Sequence, residues 1–238
     1  MNVLNPYRAS SSPAIDRLSC LAPLGEWDRA ALAEAMHERS RARPRGELLR
    51  EGQAIGRPKL LLEGWAARVR MLDDGRRQFM SMLLPGDLIG SCRQARPLAV
   101  ATVVALCEVQ WCHAPEAERG SGLAQAYAAS AAFEEAALLA QITRLGRMTA
   151  AERICDFLLE LRTRLAMAGL ASDTSFDMPL TQETLADALG LTSVHVNRVV
   201  QGLRRDGDLQ WKGGRVTLTD PDALAAKIGR VEIRVSEG

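Results

Sequence analysis

Aromatic residues, long apolar runs and excess charge are all scarce in this 238-residue chain. Aromatic side chains are only 4% of the residues, which argues against a surface that stacks on single-stranded nucleic acid. No apolar run approaches the roughly 18 residues of a membrane-spanning helix, and the N-terminus lacks the apolar stretch of a signal peptide. The sequence therefore predicts a cytoplasmic protein without a membrane partner. A net charge of +1 argues against general coating of DNA, and 47% hydrophobic residues suffice for two domain cores.

Cysteine is also sparse, and its five positions fit neither a disulfide framework nor a metal site. No Cys-x-x-Cys pair occurs, and the odd number of thiols argues against a full set of disulfides. Cys112 precedes His113 without further ligands at zinc spacing, so we predict no metal. Cys92, beside Arg93, is the best candidate for a reactive thiol, although a redox role is not favoured, and the roles of Cys92 and Cys112 stay open. No catalytic Ser/His/Asp set, phosphate-binding loop or carboxylate pair indicates an enzyme.

The most informative segment is residues 180–216, which has the pattern of two short helices followed by a β-hairpin. Thr181 precedes the first amphipathic run as a helix N-cap, and Gly190 follows it where a left-handed residue commonly ends a helix. Thr192 then caps a second helix, and Gly213–Gly214 turns the hairpin. The predicted buried stripes comprise Leu185, Ala188, Leu189, Val196, Val199, Val200 and Leu203. This pattern predicts a winged helix-turn-helix.

The second helix has a polar face outside its apolar stripe, as a DNA recognition helix does. Arg198 suits guanine, because a guanidinium bonds O6 and N7 together, and Asn197 suits adenine in the same way. Val194 suits a thymine methyl group, and the free N–H groups beside Thr192 suit a phosphate oxygen. We predict that bases are read by Ser193, Val194, His195, Asn197 and Arg198. We predict that the DNA backbone is held by Thr181, Thr192, Gln201, Lys212 and Arg215.

Positive charge is concentrated in the same segment. Between residues 192 and 216, five cations against two anions leave a net +3, which favours phosphate binding. The competing interpretation is an ordinary helical hairpin whose Arg and Asn side chains are merely solvated. A second group of arginines, at residues 39–45, surrounds Pro44, and we interpret it as a solvated face rather than as another DNA contact.

The N-terminal half has the short alternating runs of a small β-domain. Residues 60–72 alternate around a Glu-Gly-Trp turn, residues 73–75 are a hairpin signal, and residues 78–84 form the next strand. A Pro/Gly turn at 84–90 leads into another strand, and 99–111 is one apolar run of strand character. Many short strands joined by glycine turns predict a small barrel or jelly roll.

A long helix is predicted between the two halves. Residues 114–148 are rich in Ala, Leu, Glu and Gln and nearly free of strand formers, and Gly120–Ser121–Gly122 indicate that the helix, 121–148, starts there. A 4/3 spacing, broken at Glu135, gives a short coiled-coil-like seam of Ala124, Ala128, Ala131, Leu138, Ile142 and Leu145. We expect this helix to form a homodimer, which sets two recognition helices about one turn of DNA apart. The alternative is an amphipathic helix packed on its own domain. A further helix is expected over 149–170.

These elements, in this order, resemble the Crp/Fnr family of bacterial transcription regulators over roughly residues 20–225. The similarity is strongest at TQETLADALGLTSVHVNRVVQGLRRDG, residues 181–207. The resemblance implies an α+β protein with three parts. They are a cyclic-nucleotide-binding-like β-roll or jelly-roll sensor-like domain at 15–120, a dimerisation helix at 121–148 and a C-terminal winged helix-turn-helix domain at 149–238.

The resemblance also assigns roles to single positions, and this chain departs from the family at two of them. Arg198 stands where the family contacts a guanine, and Asn197 and Ser193 fall at base-reading positions. Many members carry Glu at the position of Val194, and an apolar residue is usual at the position of Asp208. The family's target sequence is therefore not carried over to this chain.

The ligand chemistry of the cyclic-AMP-binding members does not carry over either. Those members have a Glu where this chain has Ser91, and an Arg-Ser pair where it has Pro97–Leu98. Proline supplies neither a cation nor an N–H donor. The closely spaced N-terminal cysteines of iron–sulfur members are also missing, so we predict no cofactor, neither cyclic AMP nor an iron–sulfur cluster, and the effector is unknown. A substitute pocket would use Gly90, Ser91, Arg93 and Arg96, although a scaffold role for this loop is favoured.

The sequence thus predicts a non-enzymatic, sequence-specific transcription regulator that binds an inverted repeat in double-stranded DNA as a dimer. An activator of this kind would also contact RNA polymerase. One alternative is a ligand-binding signalling module whose helix-turn-helix contacts protein. Another is a cupin-like enzyme that holds a metal in the β-roll. The sign of regulation, the target genes and the operator are not determined by these residues.

Overall fold

The computed structural model describes residues 12–91 and 95–231 and consists of a β-rich N-terminal half, a long helix and a mainly helical C-terminal half. The helices are α1 (Pro13–Leu21), α2 (Glu26–His37), α3 (Gly122–Arg147), α4 (Ala150–Met167), α5 (Gln182–Leu189), α6 (Ser193–Arg205) and α7 (Pro221–Lys227). The strands are β1 (Ser40–Ala42), β2 (Glu47–Leu49), β3 (Lys59–Glu63), β4 (Ala66–Met71), β5 (Arg77–Leu83), β6 (Leu88–Ile89), β7 (Thr102–Ala105), β8 (Val109–His113), β9 (Ser175–Asp177), β10 (Leu209–Lys212) and β11 (Arg215–Leu218). The predicted α+β class and order of elements are confirmed.

Two four-stranded antiparallel sheets form the β-roll, with strand orders β1-β8-β3-β6 and β2-β7-β4-β5. Side chains from both sheets, such as Leu61 and Val103, meet in one buried cluster, so the sheets pack face to face. Residues 99–111, expected as one strand-like run, are two strands in different sheets. The Leu106 N–H donates to the Trp65 carbonyl at 2.8 Å, and this turn redirects the chain from β7 to β8.

Helices α1 and α2, which the sequence patterns did not indicate, cover one side of the β-roll. Leu18 and Leu32 are fully buried in a cluster with Leu60 of β3 and Leu123 of α3. The N-terminal helices therefore complete the core of the β-roll and attach it to the long helix.

Helix α3 has the predicted extent, but its exposed seam differs in part from the predicted one. Leu139 and Ile142 are 59% and 68% exposed, whereas Leu138 and Leu145 are half-buried. Leu145 lies close to Gly190, at the turn of the helix-turn-helix, and is therefore used within the protomer. The free apolar face of α3 runs through Leu139 rather than Leu138.

The N-terminal and C-terminal halves share one hydrophobic cluster. It contains Phe79 of β5, Leu158 of α4 and Leu185 of α5, all nearly inaccessible to solvent. Burial of this apolar surface stabilises a fixed arrangement of the β-roll and the helix-turn-helix.

A chain of buried ion pairs crosses the same boundary. The pairs, with N–O distances of 2.6–3.1 Å, are Arg17–Asp87, Asp87–Arg164, Arg164–Glu160, Glu160–Arg144, Arg144–Asp156 and Asp156–Arg230. Each carboxylate accepts from at least two guanidinium groups, which offsets the cost of removing these charges from water. The chain links α1, the turn before β6, α3, α4 and the segment after α7.

Candidate nucleic-acid interface

Hydroxyl caps and a left-handed glycine set the geometry of the helix-turn-helix. Thr181 Oγ1 accepts the Thr184 N–H at 3.1 Å at the start of α5, and Thr192 Oγ1 accepts the His195 N–H at 3.2 Å at the start of α6. Between the helices, Gly190 has a φ of 63°, a conformation that favours glycine. Both predicted caps and the predicted turn are therefore confirmed.

Helix α6 buries one stripe and presents the opposite face to solvent. The buried residues are Val196, Val200 and Leu203, with Val199 half-buried, as the periodicity predicted. Four of the five predicted base readers are exposed: Ser193, Val194, Asn197 and Arg198. The fifth, His195, is half-buried and lines a cleft between α6 and the β-roll. The structure thus brings four of the predicted readers to one open face and places His195 at its edge.

The polar side chains on the outer face of α6 differ in whether they have a partner within the chain. Asn197 Nδ2 donates to Gln182 Oε1 at 3.0 Å, which ties α6 to the first turn of α5. Arg198 has no ion pair within residues 12–91 and 95–231, so its guanidinium is available to a partner outside the chain. Gln201 is half-buried at the side of the helix.

No acidic residue stands in the first turn of α6, so the positive end of the helix dipole is not neutralised there.

Strands β10 and β11 form the predicted wing, with Lys212 opposite Arg215. Gly213 and Gly214, with φ values of 60° and 79°, supply the two left-handed residues of its tight turn. Lys212 is exposed, whereas Arg215 donates to Asp177 Oδ1 at 3.0 Å. Because β9 pairs with β11, the wing has a third strand that the short run around Asp177 did not indicate. An exposed ion pair of this kind is weak, and a phosphate can compete with Asp177 for Arg215.

Strand β5 of the β-roll and helix α3 hold the C-terminal end of α5. Arg77 Nε donates to Asp187 Oδ2 at 2.6 Å. Gln78 and Gln141 both donate through Nε2 to the Ala188 carbonyl, at 3.1 and 2.6 Å. The last carbonyl groups of a helix have no hydrogen-bond donor within the helix. Here the β-roll and α3 supply the donors. The orientation of the helix-turn-helix is therefore fixed by residues of the other two parts.

Several known proteins match this chain. The family model of the Crp-like helix-turn-helix domain matches residues 152–227. The transcriptional activator protein FnrL of Cereibacter sphaeroides is 33% identical over 179 residues, covering 71% of this chain and 71% of FnrL. The nitrogen fixation regulation protein FixK of Bradyrhizobium diazoefficiens is 34% identical over 175 residues, covering 70% of this chain and 73% of FixK. The chain belongs to the Crp/Fnr family. It is a transcription regulator of that family.

Solved Crp/Fnr structures share the fold. FixK2 from Bradyrhizobium japonicum matches with a TM-score of 0.68 and 26% identity, covering 79% of this chain and 95% of FixK2. A CRP-family transcriptional regulator from Thermus thermophilus matches with a TM-score of 0.63 and 23% identity, covering 80% of this chain and 96% of that regulator. The resemblance inferred from the sequence is therefore confirmed, and the relatives are regulators rather than enzymes.

The loop after β6 carries the second predicted site. Of its four predicted residues, Gly90 is half-buried, Ser91 and Arg96 are exposed, and Arg93 lies outside the described residues. The Ile55 N–H donates to the Pro97 carbonyl at 2.8 Å, so the loop pairs with the segment after β2. A pocket for an anion in this Crp/Fnr regulator stays a prediction.

Of the cysteines in the described residues, Cys112 and Cys155 are buried, Cys107 is half-buried and Cys20 is exposed. Burial raises the pKa of the Cys112 thiol to about 11 and that of the Cys155 thiol to about 12. Cys107 accepts the Trp65 N–H at 3.2 Å, and Cys92 lies outside the described residues. Within the described ranges, no group of three or more His, Cys, Asp and Glu side chains is placed to hold a metal ion. None of the helices described here is both long and apolar enough to cross a membrane.

Proposed function

We propose that this Crp/Fnr regulator binds an inverted-repeat site in double-stranded DNA as a homodimer, with α6 of each protomer in the major groove. The observation that carries the proposal is the open N-terminal face of α6, from which Ser193, Val194, Asn197 and Arg198 project. Helix-turn-helix proteins contact base edges with this part of the second helix. In this proposal the protein acts on DNA in the cytoplasm and catalyses no reaction.

The base-reading roles follow from the chemistry of each side chain. The free guanidinium of Arg198 forms two hydrogen bonds to guanine O6 and N7, and the Val194 side chain contacts a thymine methyl group. Asn197 exchanges its bond to Gln182 for the N6 and N7 of an adenine. Ser193 reaches a base from the open face of α6, and His195 contacts the DNA at the edge of that face.

The backbone contacts surround this reading face. Thr181 and Thr192 sit at the N-terminal ends of α5 and α6, where free N–H groups and the helix dipole favour a phosphate. Lys212 and Arg215, on the wing, meet the flanking phosphates, and Gln201 contacts the backbone from the side of α6. These contacts set the register of the protein on the duplex and carry no sequence information themselves.

The proposed homodimer forms through helix 121–148. Leu139 and Ile142 are large apolar side chains left exposed on α3, and the small Ala128 and Ala131 lie exposed on the same helix. Small residues permit close approach of two helices, and burial of the large ones stabilises the pair by about 25 cal/mol per Å² of apolar surface. A twofold axis along α3 gives two recognition helices for the two halves of an inverted repeat.

The proposal needs no added cofactor, and neither cyclic AMP nor an iron–sulfur cluster has a role in it. FnrL is named a transcriptional activator, which supports RNA polymerase as a further partner if this chain also activates. The anion pocket at Gly90, Ser91, Arg93 and Arg96 is kept only as a secondary hypothesis for an effector.

The test is the binding of R198A to the preferred duplex of the wild type. We expect a loss of about 1–3 kcal/mol in binding free energy and relaxed preference at one base position per half-site. Arg204, exposed near the C-terminal end of the same helix, gives the control R204A, which should keep the base preference. R198A binding as tightly and as selectively as wild type would overturn the assignment. Wild-type binding that does not weaken with salt would favour the protein-contacting alternative.

A further inference from the structure

A cleft of about 870 Å³ separates the β4–β5 hairpin from the helix-turn-helix. Arg45 and Arg76 line it from the β-roll, and Thr192 and His195 line it from the N-terminal turn of α6. A neighbouring cavity of about 300 Å³ shares Arg45 and is lined by Thr181 at the start of α5. Arg45 therefore lies next to the N-terminal ends of α5 and α6. The proposed function places both of these ends against DNA.

The three cations of the β-roll in this cleft are not equivalent. Arg77 pairs with Asp187 and also approaches Glu183 at 3.5 Å, and Arg76 pairs with Asp74 at 2.7 Å. Arg45 is exposed and has no ion pair in the part of the chain that the structure describes. Of these three, Arg45 is the cation whose charge is not already balanced within the chain.

The backbone at Arg45 is held in one conformation. Pro44 has a restricted φ, Arg45 has a φ of 67°, and the Arg45 N–H donates to the Ala105 carbonyl at 2.8 Å. A left-handed conformation is uncommon for a residue other than glycine, and the hydrogen bond to β7 maintains it here. The guanidinium is therefore presented from a fixed point of the β-roll.

We propose that Arg45 contacts a DNA phosphate beside the first turn of α6, so that the β-roll is part of the DNA-binding surface. This inference rests on the proposed DNA binding. When the second helix of a helix-turn-helix enters the major groove, the first crosses the DNA backbone, which brings phosphates to the N-terminal ends of both. Thr192 borders the cleft and Thr181 borders the neighbouring cavity, and Arg45, which lines both, supplies the unbalanced cation from the β-roll. Residues 39–45 are therefore not only a solvated face.

The consequence is that DNA affinity depends on the position of the β-roll relative to the helix-turn-helix. Arg45 moves with the β-roll, whereas Thr181 and Thr192 move with the helix-turn-helix. A displacement of one part relative to the other changes the distance from Arg45 to the phosphate, even if the base contacts of α6 are intact. This contact changes affinity for all sequences alike, because phosphates carry no sequence information.

The experiment measures duplex binding of the full chain as a function of salt concentration for four proteins: wild type, R45Q, R45K and R43Q. Gln and Lys keep much of the length of the side chain at the strained position, and thermal unfolding of each variant checks that it folds. Arg43 is an exposed cation in the same segment that does not line either cavity, so R43Q is the matched control.

For R45Q we expect the slope of log affinity against log salt to decrease by about 0.9 per phosphate lost, or about 1.8 for a dimer. R45K should keep most of the slope, R43Q should match wild type, and the base preference of R45Q should be unchanged.

A slope for R45Q equal to that of R43Q would overturn the inference while leaving the proposed function intact. If the wild type shows no salt-dependent duplex binding, both fail together. R198A distinguishes the two roles, since it should lose base preference and keep the slope.

Discussion

Arg77 of strand β5 and Asp187 of helix α5 form an ion pair of 2.6 Å that joins the β-roll to the first helix of the helix-turn-helix. Next to it, Gln78 and Gln141 bond the carbonyl of Ala188. In this Crp/Fnr regulator, helix α5 is therefore held at its C-terminal end by residues from outside its own domain.

The Arg77–Asp187 pair should show measurable coupling between the two parts of the protein. We expect a double-mutant cycle of R77A and D187A, read by chemical unfolding, to give about 0.5–1 kcal/mol, because both side chains are about one third exposed. The exposed pair Arg76–Asp74, within the hairpin, is the control and should give less. Equal coupling energies for the two pairs would contradict a special role for the interdomain contact.

Asp87 should make stability fall at acid pH. Burial raises the pKa of this carboxyl, but Arg17, Arg164 and the Leu84 N–H outweigh it and hold the pKa below its ordinary value of 3.8. As the pH falls, Asp87 is therefore protonated in the unfolded state before it is protonated in the folded state. Its contribution to the free energy of unfolding is complete above pH 3.8 and is lost as the pH falls through the pKa of the folded state.

The variant D87N tests this linkage. At neutral pH it should lose about 3–5 kcal/mol of unfolding free energy, because Arg17 and Arg164 keep their charge without their shared partner. Its stability should also depend less on pH in the acid range than that of wild type. D73N, at an exposed position in the β4–β5 hairpin, should leave both quantities unchanged. An acid dependence in D87N as steep as in wild type would show that other groups cause it.

The exposed face of α3 should control the oligomeric state. We expect I142E to weaken the dimer by about 2–4 kcal/mol, because a carboxylate replaces an apolar side chain in the proposed interface. Sedimentation equilibrium measures this change as a shift toward monomer. W27E removes another large exposed side chain, on α2, and should remain dimeric. A fully dimeric I142E at micromolar concentration would contradict the proposed interface.

The buried thiols should resist alkylation until the protein unfolds. With pKa values raised by burial to about 11 and about 12 from an ordinary 9.0, Cys112 and Cys155 carry far less thiolate than a free thiol. Iodoacetamide at mildly alkaline pH, followed by peptide mass spectrometry, should label the exposed Cys20 before Cys112 and Cys155. Rapid labelling of Cys112 in the folded protein would contradict its assignment to the core.

The features that the sequence predicted best are those with local causes. Thr181, Gly190 and Thr192 act on residues within one helical turn, so the limits of α5 and α6 were read directly from the chain. The Gly213–Gly214 turn is equally local. The exposed face of α6 followed from helical periodicity alone.

The features that sequence reasoning missed depend on partners far apart in the chain. Arg17 and Asp87 are distant in sequence, and neither has a neighbour that marks it as part of a buried ion pair. Asn197 was correctly placed on the outer face, but its bond to Gln182 depends on the crossing of α5 and α6. Leu145 fits the predicted seam by spacing, yet it packs beside Gly190 because the helix-turn-helix folds back onto α3.

The most direct test of the central claim is selection of random duplex DNA by the purified, untreated full chain at physiological salt, followed by sequencing. The account predicts enrichment of an inverted repeat whose half-sites are about one helical turn apart, with a guanine in each half-site whose preference is lost in R198A. Failure to enrich any sequence, or enrichment of a site without twofold symmetry, would contradict a homodimeric DNA reader.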